Sequence, residues 1–176
     1  TLASALEEGA VSLSDSFYCG GSTTIKGRTK ALHCWRAAGH GQQSTAEALQ
    51  NSCNVAFANI GIRLGGEKLY EYVHKFGLTE KTGIELGGEA SGIFFDEATL
   101  ANPQSYASLT SAAFGQTFKI TPLQLVRAVA AVVNGGYAHF CRGRCSSSAR
   151  NFSPFPCKIF SVPLVYKSER RQNKRS

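Results

Sequence analysis

From Ser44 to Phe76 the chain reads as three helical patterns in close succession, and this run limits the architectures open to it. Thr45 to Asn51 patterns as a short helix, Ser52 to Asn54 as a turn, and Val55 to Leu64 as a second helix stopped at Gly65-Gly66. Lys68 to Phe76 follows, with apolar Leu69, Tyr72, Val73 and Phe76 spaced three and four apart, which predicts a core-facing stripe. Its aromatics read as packing rather than as ligand contacts.

The flanking segments are less regular. Residues 1 to 8 read as the end of a helix stopped at Gly9, and 14 to 40 as an irregular stretch with at most short strands, rich in Gly, Thr and Cys. Gly77 to Ser105 is a long loop punctuated by Gly83, Gly87, Gly88, Gly92 and Pro103, and long structured loops within a compact domain are often functional. The best-defined helix has Thr121 as N-cap and Pro122 in its first turn. It continues through Leu125, Val126, Val129 and Val132-Val133 and stops at Asn134-Gly135.

The turn Ser52-Cys53-Asn54 carries chemistry that the helices do not. In serine acyl transfer the nucleophile needs a neighbour that takes its proton and returns it to a leaving amine. A second hydroxyl such as Ser52 can relay that proton, and the Asn54 amide offers one donor and one acceptor for holding a Lys amine and a substrate amide together. A lone Ser-x-Asn triplet is weak evidence, because Ser and Asn are also ordinary cap and turn residues. Ser-x-x-Lys, Ser-x-Asn and Lys-Thr-Gly together define the penicillin-recognising enzymes. No Ser in this chain is followed three positions later by Lys.

Order supplies the missing context. Tyr18-Cys19, Cys34-Trp35, His40-Gly41, Ala48-Leu49-Gln50-Asn51-Ser52-Cys53-Asn54, Phe76-Gly77, Thr82-Gly83-Ile84, Gly88-Glu89, Phe114-Gly115-Gln116 and Thr121-Pro122-Leu123-Gln124 follow one another from Thr1 to about His139. In this sequence the run resembles the transpeptidase domain of class B penicillin-binding proteins, closest to the elongation, division and sporulation type. The resemblance implies a partial α/β (α+β) fold of the penicillin-binding and beta-lactamase kind, mostly its helical part with the sheet strands largely missing. It implies that Ser52 and Asn54 are catalytic-motif residues, with Gln116 a candidate substrate contact beside the cleft. It places the nucleophile just upstream of Thr1 and the third motif on a strand well past Gly136. Lys81-Thr82-Gly83 follows Asn54 too closely for that third motif and reads as a solvated loop.

The implied function is that of a fragment of a peptidoglycan D,D-transpeptidase, an acyltransferase inactive on its own because the acylated atom is absent. The partners implied for the intact relative are peptidoglycan stem peptides, beta-lactams, and cell-wall synthesis or division proteins. Its place is the extracytoplasmic face of the bacterial membrane, held by an anchor upstream. Two other classes compete: a non-catalytic binding or structural module with a basic tail, and a beta-lactam sensor or beta-lactamase-like domain. No cofactor is expected.

Charge divides the chain near residue 138. Residues 1–138 hold 10 Lys+Arg against 11 Asp+Glu, and 139–176 hold 9 against 1, so the net charge of +7 comes from the tail. The tail lacks helical periodicity and departs from the family pattern, so 139–176 is expected to be a disordered or non-native segment following a partial transpeptidase domain at 1–138. Phosphate or anionic-lipid contacts by such a tail would be unspecific, and no nucleic-acid reading module is recognisable. No apolar run is long enough to span a membrane, and no targeting segment is visible.

The cysteines admit two readings. Relatives work outside the cytoplasmic membrane, which makes a Cys19–Cys34 disulfide the favoured expectation. A zinc site of Cys19, His33 and Cys34 is the alternative, but it has no obvious fourth ligand, and no metal is expected. Cys53 reads as a small buried filler, and His33 and His40 as structural.

Overall fold

The computed structural model describes residues 1–84, 87–134, 136–141 and 159–163. The chain divides into two units, Thr1–Val73 with Ile93–Lys119, and His74–Gly92 with Ile120–Ser176. The first contains α1 (Leu2–Glu7), the strands β1 (Ser16–Cys19), β2 (Ser22–Thr23), β3 (Leu32–His33) and β4 (Gly41–Ser44), then α2 (Thr45–Gln50), α3 (Asn54–Leu64), most of α4 (Gly66–Lys75), α5 (Glu97–Leu100) and α6 (Ala107–Ala113). The second contains α7 (Pro122–Val133), β5 (Tyr137–Cys141) and β6 (Ile159–Pro163). The architecture is α+β with helices dominant, and among the described residues every sheet has two strands.

Two antiparallel ladders organise the irregular stretch. β1 pairs with β4, setting Ser16 opposite Ser44 and Cys19 opposite Gly41. β2 pairs with β3, setting Ser22 opposite His33. Along β1 exposure alternates, with Phe17 and Cys19 buried and Ser16 and Tyr18 outward, as a strand with one covered face requires. β4 runs directly into α2, where Ser44 and Glu47 form a reciprocal capping box. Thr45 is fully buried and its hydroxyl donates to Ser12 O at 2.8 Å, which anchors the start of α2 to the chain entering β1.

The core of the first unit lies where α3 crosses α1 and α6. Ala5, Ala56, Ala58, Ile60, Leu109 and Ala113 are all at most 4% exposed. The stripe expected on α4 is present: Leu69, Tyr72 and Val73 are buried. The Tyr72 hydroxyl donates to Glu8 at 2.9 Å and Lys68 pairs with the same carboxylate at 3.3 Å, tying α4 to the end of α1. Only Gly65 separates α3 from α4, and Gly66 opens the new helix rather than ending the old one.

In the second unit α7 begins as its sequence predicts, with Thr121 and Gln124 in a capping box and Pro122 in the first turn. Its inward side is the polar one. Gln124, Arg127 and Ala131 are buried, whereas Leu125, Val126, Val129, Val132 and Val133 are each about half exposed or more. Gln124 Nε2 donates to Glu80 O at 2.8 Å and the Arg127 guanidinium donates to Gly77 O, so backbone carbonyls after α4 claim this face by hydrogen bonding. β5 and β6 pair antiparallel from Tyr137–Pro163 to Cys141–Ile159. The rest of the expected 139–176 tail lies outside the described residues.

Candidate functional site

The turn between α2 and α3 is held on both sides. Asn51 closes α2, the Ser52 N–H donates to Leu49 O at 3.0 Å and the Cys53 N–H to Ala48 O at 3.0 Å. Ser52 then takes φ +46°, a left-handed conformation that costs a non-glycine residue about 1–2 kcal/mol and concentrates at functional positions. Cys53 is the N-cap of α3 and Asn54 its first residue. Across from the turn, the end of β3 supplies two clamps: Asn54 Nδ2 donates to His33 O at 3.1 Å, and Trp35 Nε1 donates to Asn51 O at 2.9 Å.

Ser52 and Asn54 line a cleft of about 300 Å³ together with Phe57, Phe114, Gly115 and Phe118. Ser52 is exposed and Asn54 half-buried. Because His33 O can only accept, the Asn54 amide must turn its NH₂ toward it, leaving Oδ1 as the atom it can present to a bound molecule. The arrangement offers a hydroxyl and an oriented amide among aromatic surfaces. That suits gripping a peptide-like amide. Gln116 sits in the turn after α6, exposed, with its backbone N–H on Ser111 O at 2.8 Å; its neighbours Gly115 and Phe118 line the cleft, whereas Gln116 itself does not.

Lys81-Thr82-Gly83 lies in a loop of the second unit, not on a strand. Glu89 organises it, accepting from the Thr82 N–H at 2.6 Å, from the Thr82 hydroxyl, and from the Gly83 N–H at 3.1 Å. The Thr82 hydroxyl is the main reason the Glu89 carboxyl sits below its ordinary value, with the two N–H groups and the Lys81 charge adding to it. A lowered folded value means that the contribution is complete above the ordinary Glu range, about 4.3, and is lost as pH falls through the lowered value. Thr82 and Gly83 amides should therefore keep their exchange protection at neutral pH and lose it in acid. Equal protection in a Glu89→Ala variant at neutral pH would remove Glu89 as the organiser.

A second cluster lies directly beneath the Ser52–Asn54 turn. The sulfurs of Cys19, Cys34 and Cys53 and a ring nitrogen of His40 all lie within 4.8 Å of one another. The three thiols are free and buried. Cys34 Sγ is 3.9 Å from Cys53 Sγ and 3.6 Å from His40 Nδ1. Burial raises the Cys34 thiol, but the N–H groups of Arg36 and Asn54 and the neighbouring thiols outweigh it and bring it below its ordinary value. Burial pushes Cys53 up to about 11. His33, the histidine of the alternative Cys19–His33–Cys34 site, is exposed on β3, and the structure brings His40 and Cys53 to the two cysteines instead. The β1–β4 register, which sets Cys19 opposite Gly41 and so next to His40, is the link that linear spacing hides.

Residues 1–140 match the family described as the penicillin binding protein transpeptidase domain. The chain belongs to that family. Stage V sporulation protein D of Bacillus subtilis (strain 168) is 39% identical over 174 residues, 98% of this chain and 24% of that protein. Peptidoglycan D,D-transpeptidase MrdA of Salmonella typhimurium (strain SL1344) is 27% identical over 138 residues, 76% of this chain and 22% of that protein. Among solved structures, penicillin binding protein 3 of Mycobacterium tuberculosis complexed with aztreonam superposes with a TM-score of 0.72 at 23% identity, covering 93% of this chain and 35% of that one. That likeness carries the transpeptidase fold. The chain spans about a quarter of the length of the curated relatives it matches, and among the described residues no helix is long and apolar enough to cross a membrane.

Proposed function

We propose that this chain is the part of a peptidoglycan D,D-transpeptidase that presents the Ser-x-Asn motif to an acyl-enzyme formed on a serine supplied from outside these residues. The observation that carries this reading is the shared cleft: Ser52 exposed, and Asn54 held by His33 O with its acceptor oxygen available. In the reaction the serine oxygen attacks the carbonyl of the penultimate D-Ala of a stem peptide, the terminal D-Ala leaves with a proton, and an amine of a second strand then takes the acyl group. With a beta-lactam the same attack opens the ring C–N bond. Ser52 relays the proton and Asn54 orients the substrate amide and the Lys of the nucleophile motif. Gln116 is placed by this reading at the cleft edge as a secondary substrate contact. The partners are stem peptides, beta-lactams and cell-wall synthesis or division proteins, on the extracytoplasmic face of the membrane.

Labelling with a fluorescent penicillin followed by denaturing electrophoresis tests the proposal. The 176-residue chain should remain unlabelled, while a protein that also carries the upstream Ser-x-x-Lys segment should be labelled covalently. A labelled short chain would place the nucleophile elsewhere. Failure to label the longer protein would reject the transpeptidase reading.

A further inference from the structure

We propose that the pocket between the β2–β3 loop and α6 is an anion subsite, and that it takes a carboxylate of the peptide held in the Ser52–Asn54 cleft. It deepens, and rests on, the peptide-binding reading of that cleft. The pocket encloses about 420 Å³, and its lining includes Arg28, Thr29 and Lys30 of the loop, Ser108 and Ser111 of α6, and Thr117. Its charge has one sign. No carboxylate lines it, and among the described residues neither Arg28 nor Lys30 forms an ion pair. Asp96, which follows the lining residue Phe95, is engaged at the start of α5, where it accepts from the Thr99 N–H at 2.8 Å and the Thr99 hydroxyl at 2.9 Å. Two cations on one concave surface draw an anion, and a guanidinium fork matches the two oxygens of a carboxylate.

The pocket is built before any ligand arrives. Arg28 is half-buried and its Nη1 donates to Ser111 Oγ at 3.0 Å, which fixes the guanidinium and leaves the serine its own proton to donate. The loop is held to the chain entering α6. Lys26 O accepts from the Tyr106 N–H at 2.9 Å, Lys26 Nζ donates to Pro103 O at 2.7 Å, and the Arg28 N–H closes a turn on Ile25 O at 3.0 Å. Gly27 takes φ +82° in that turn, and a Cβ there would lie 2.2 Å from Ser105 Oγ, so no larger residue fits. Thr117 holds φ +66°, a conformation rare for a β-branched residue and concentrated at functional positions. A preformed pocket spares a ligand the cost of ordering it.

α6 and the turn after it serve both cavities. At about 100° per residue, Ser108 and Ser111 lie on one face of α6, and Ala112 and Ala113, which line the Ser52–Asn54 cleft, lie on the other. In the turn, Thr117 lines the pocket while Gly115 and Phe118 line the cleft. A helix with its side chains is about 10 Å across, and an extended chain advances about 3.3–3.6 Å per residue. A peptide reaching from the cleft into the pocket therefore spans about three residues. Only one residue follows the reacting carbonyl in the proposed reaction, so the carboxylate belongs to a residue about three positions before it.

The test uses two synthetic peptides, acetyl-Glu-Ala-Ala-D-Ala-D-Ala and its Gln counterpart, as competitors of fluorescent-penicillin labelling in the protein that carries the upstream Ser-x-x-Lys segment. The Glu peptide should halve the labelling rate at an about tenfold lower concentration than the Gln peptide, the effect expected of one charge-assisted pair. Arg28→Ala and Lys30→Ala should each shrink that ratio, and the two together should bring it to one. A ratio taken within each variant is insensitive to a general loss of activity. Lys119→Ala, which removes an exposed cation outside the pocket, should keep the ratio. In the 176-residue chain, where no acylation is needed, the Ser108 and Ser111 amide resonances should shift with the Glu peptide and not with the Gln peptide. Equal protection by the two peptides in a labelled parent, an undiminished ratio in the double variant, or its loss in Lys119→Ala would each overturn the subsite and leave the transpeptidase reading standing. An unlabelled parent would reject that reading, and the amide shifts then decide the subsite alone: their presence supports it and their absence overturns it.

Discussion

Asn54→Ala, made in a protein that carries the upstream nucleophile, is expected to slow acylation by a fluorescent penicillin by about 100-fold or more. The reasoning is geometric. Catalytic positioning fails steeply, a misplacement of about 1 Å costing on the order of 10²-fold. Asn54 is the residue through which the cleft wall is joined to β3: its Nδ2 donates to His33 O at 3.1 Å while the residue itself lines the cleft. Alanine removes the clamp together with the Oδ1 that the proposed function turns to the substrate. Asn54→Asp separates the two roles, since it keeps an acceptor in the cleft but sets a carboxylate oxygen against the His33 carbonyl, where neither atom can donate. It should therefore be as slow as alanine at neutral pH. The measurement is the second-order rate of labelling for each variant. An Asn54→Ala rate within about threefold of the parent would mean that the amide has no role in acylation.

Gly61→Val is expected to destabilise the first unit by about 3 kcal/mol, read as a lower urea midpoint with an unchanged slope. Propensity alone points the other way, because glycine within a helix is roughly 1 kcal/mol less favourable than alanine. Packing decides the sign. Gly61 lies on the face of α3 that crosses α6, and a Cβ placed there would sit 2.3 Å from Ala113 Cβ, far inside contact distance. The obstacle is a short side chain fixed to the α6 backbone, so the helices themselves must separate, and overpacking of this kind costs about 1–3 kcal/mol or more. Separation would also move Phe114 and Gly115, which line the cleft together with Ser52 and Asn54. A variant as stable as the parent would show that α3 and α6 do not approach this closely.

The local elements were legible because each carries its own signal. The apolar stripe of α4, the Thr121–Pro122 start of α7 and the turn at Ser52–Asn54 depend on residues within a few positions of one another, and all three are where the pattern puts them. Two short helices were hidden in the long loop and its sequel. α5 is marked by one cap, Asp96 accepting from the Thr99 N–H at 2.8 Å, and α6 is a run of small residues whose burial comes from α3 rather than from a stripe of its own. The face of α7 was not legible either. Nothing local along α7 marks Gln124 and Arg127 as its inward residues: they donate to the carbonyls of Glu80 and Gly77, 44 and 50 positions away in the chain, while the valines stay exposed.

The sequence by itself determined the family, the Ser52-x-Asn54 turn and the helices on either side of it, since these rest on residue order and short-range spacing. Only the tertiary structure decided which residues meet. His40 and Cys53 join Cys19 and Cys34, His33 turns outward to leave its carbonyl on Asn54, and Gly61 becomes the contact point of two helices. The physical reason is that strand register and helix crossing bring together positions tens of residues apart, and no local pattern along the chain encodes those distances.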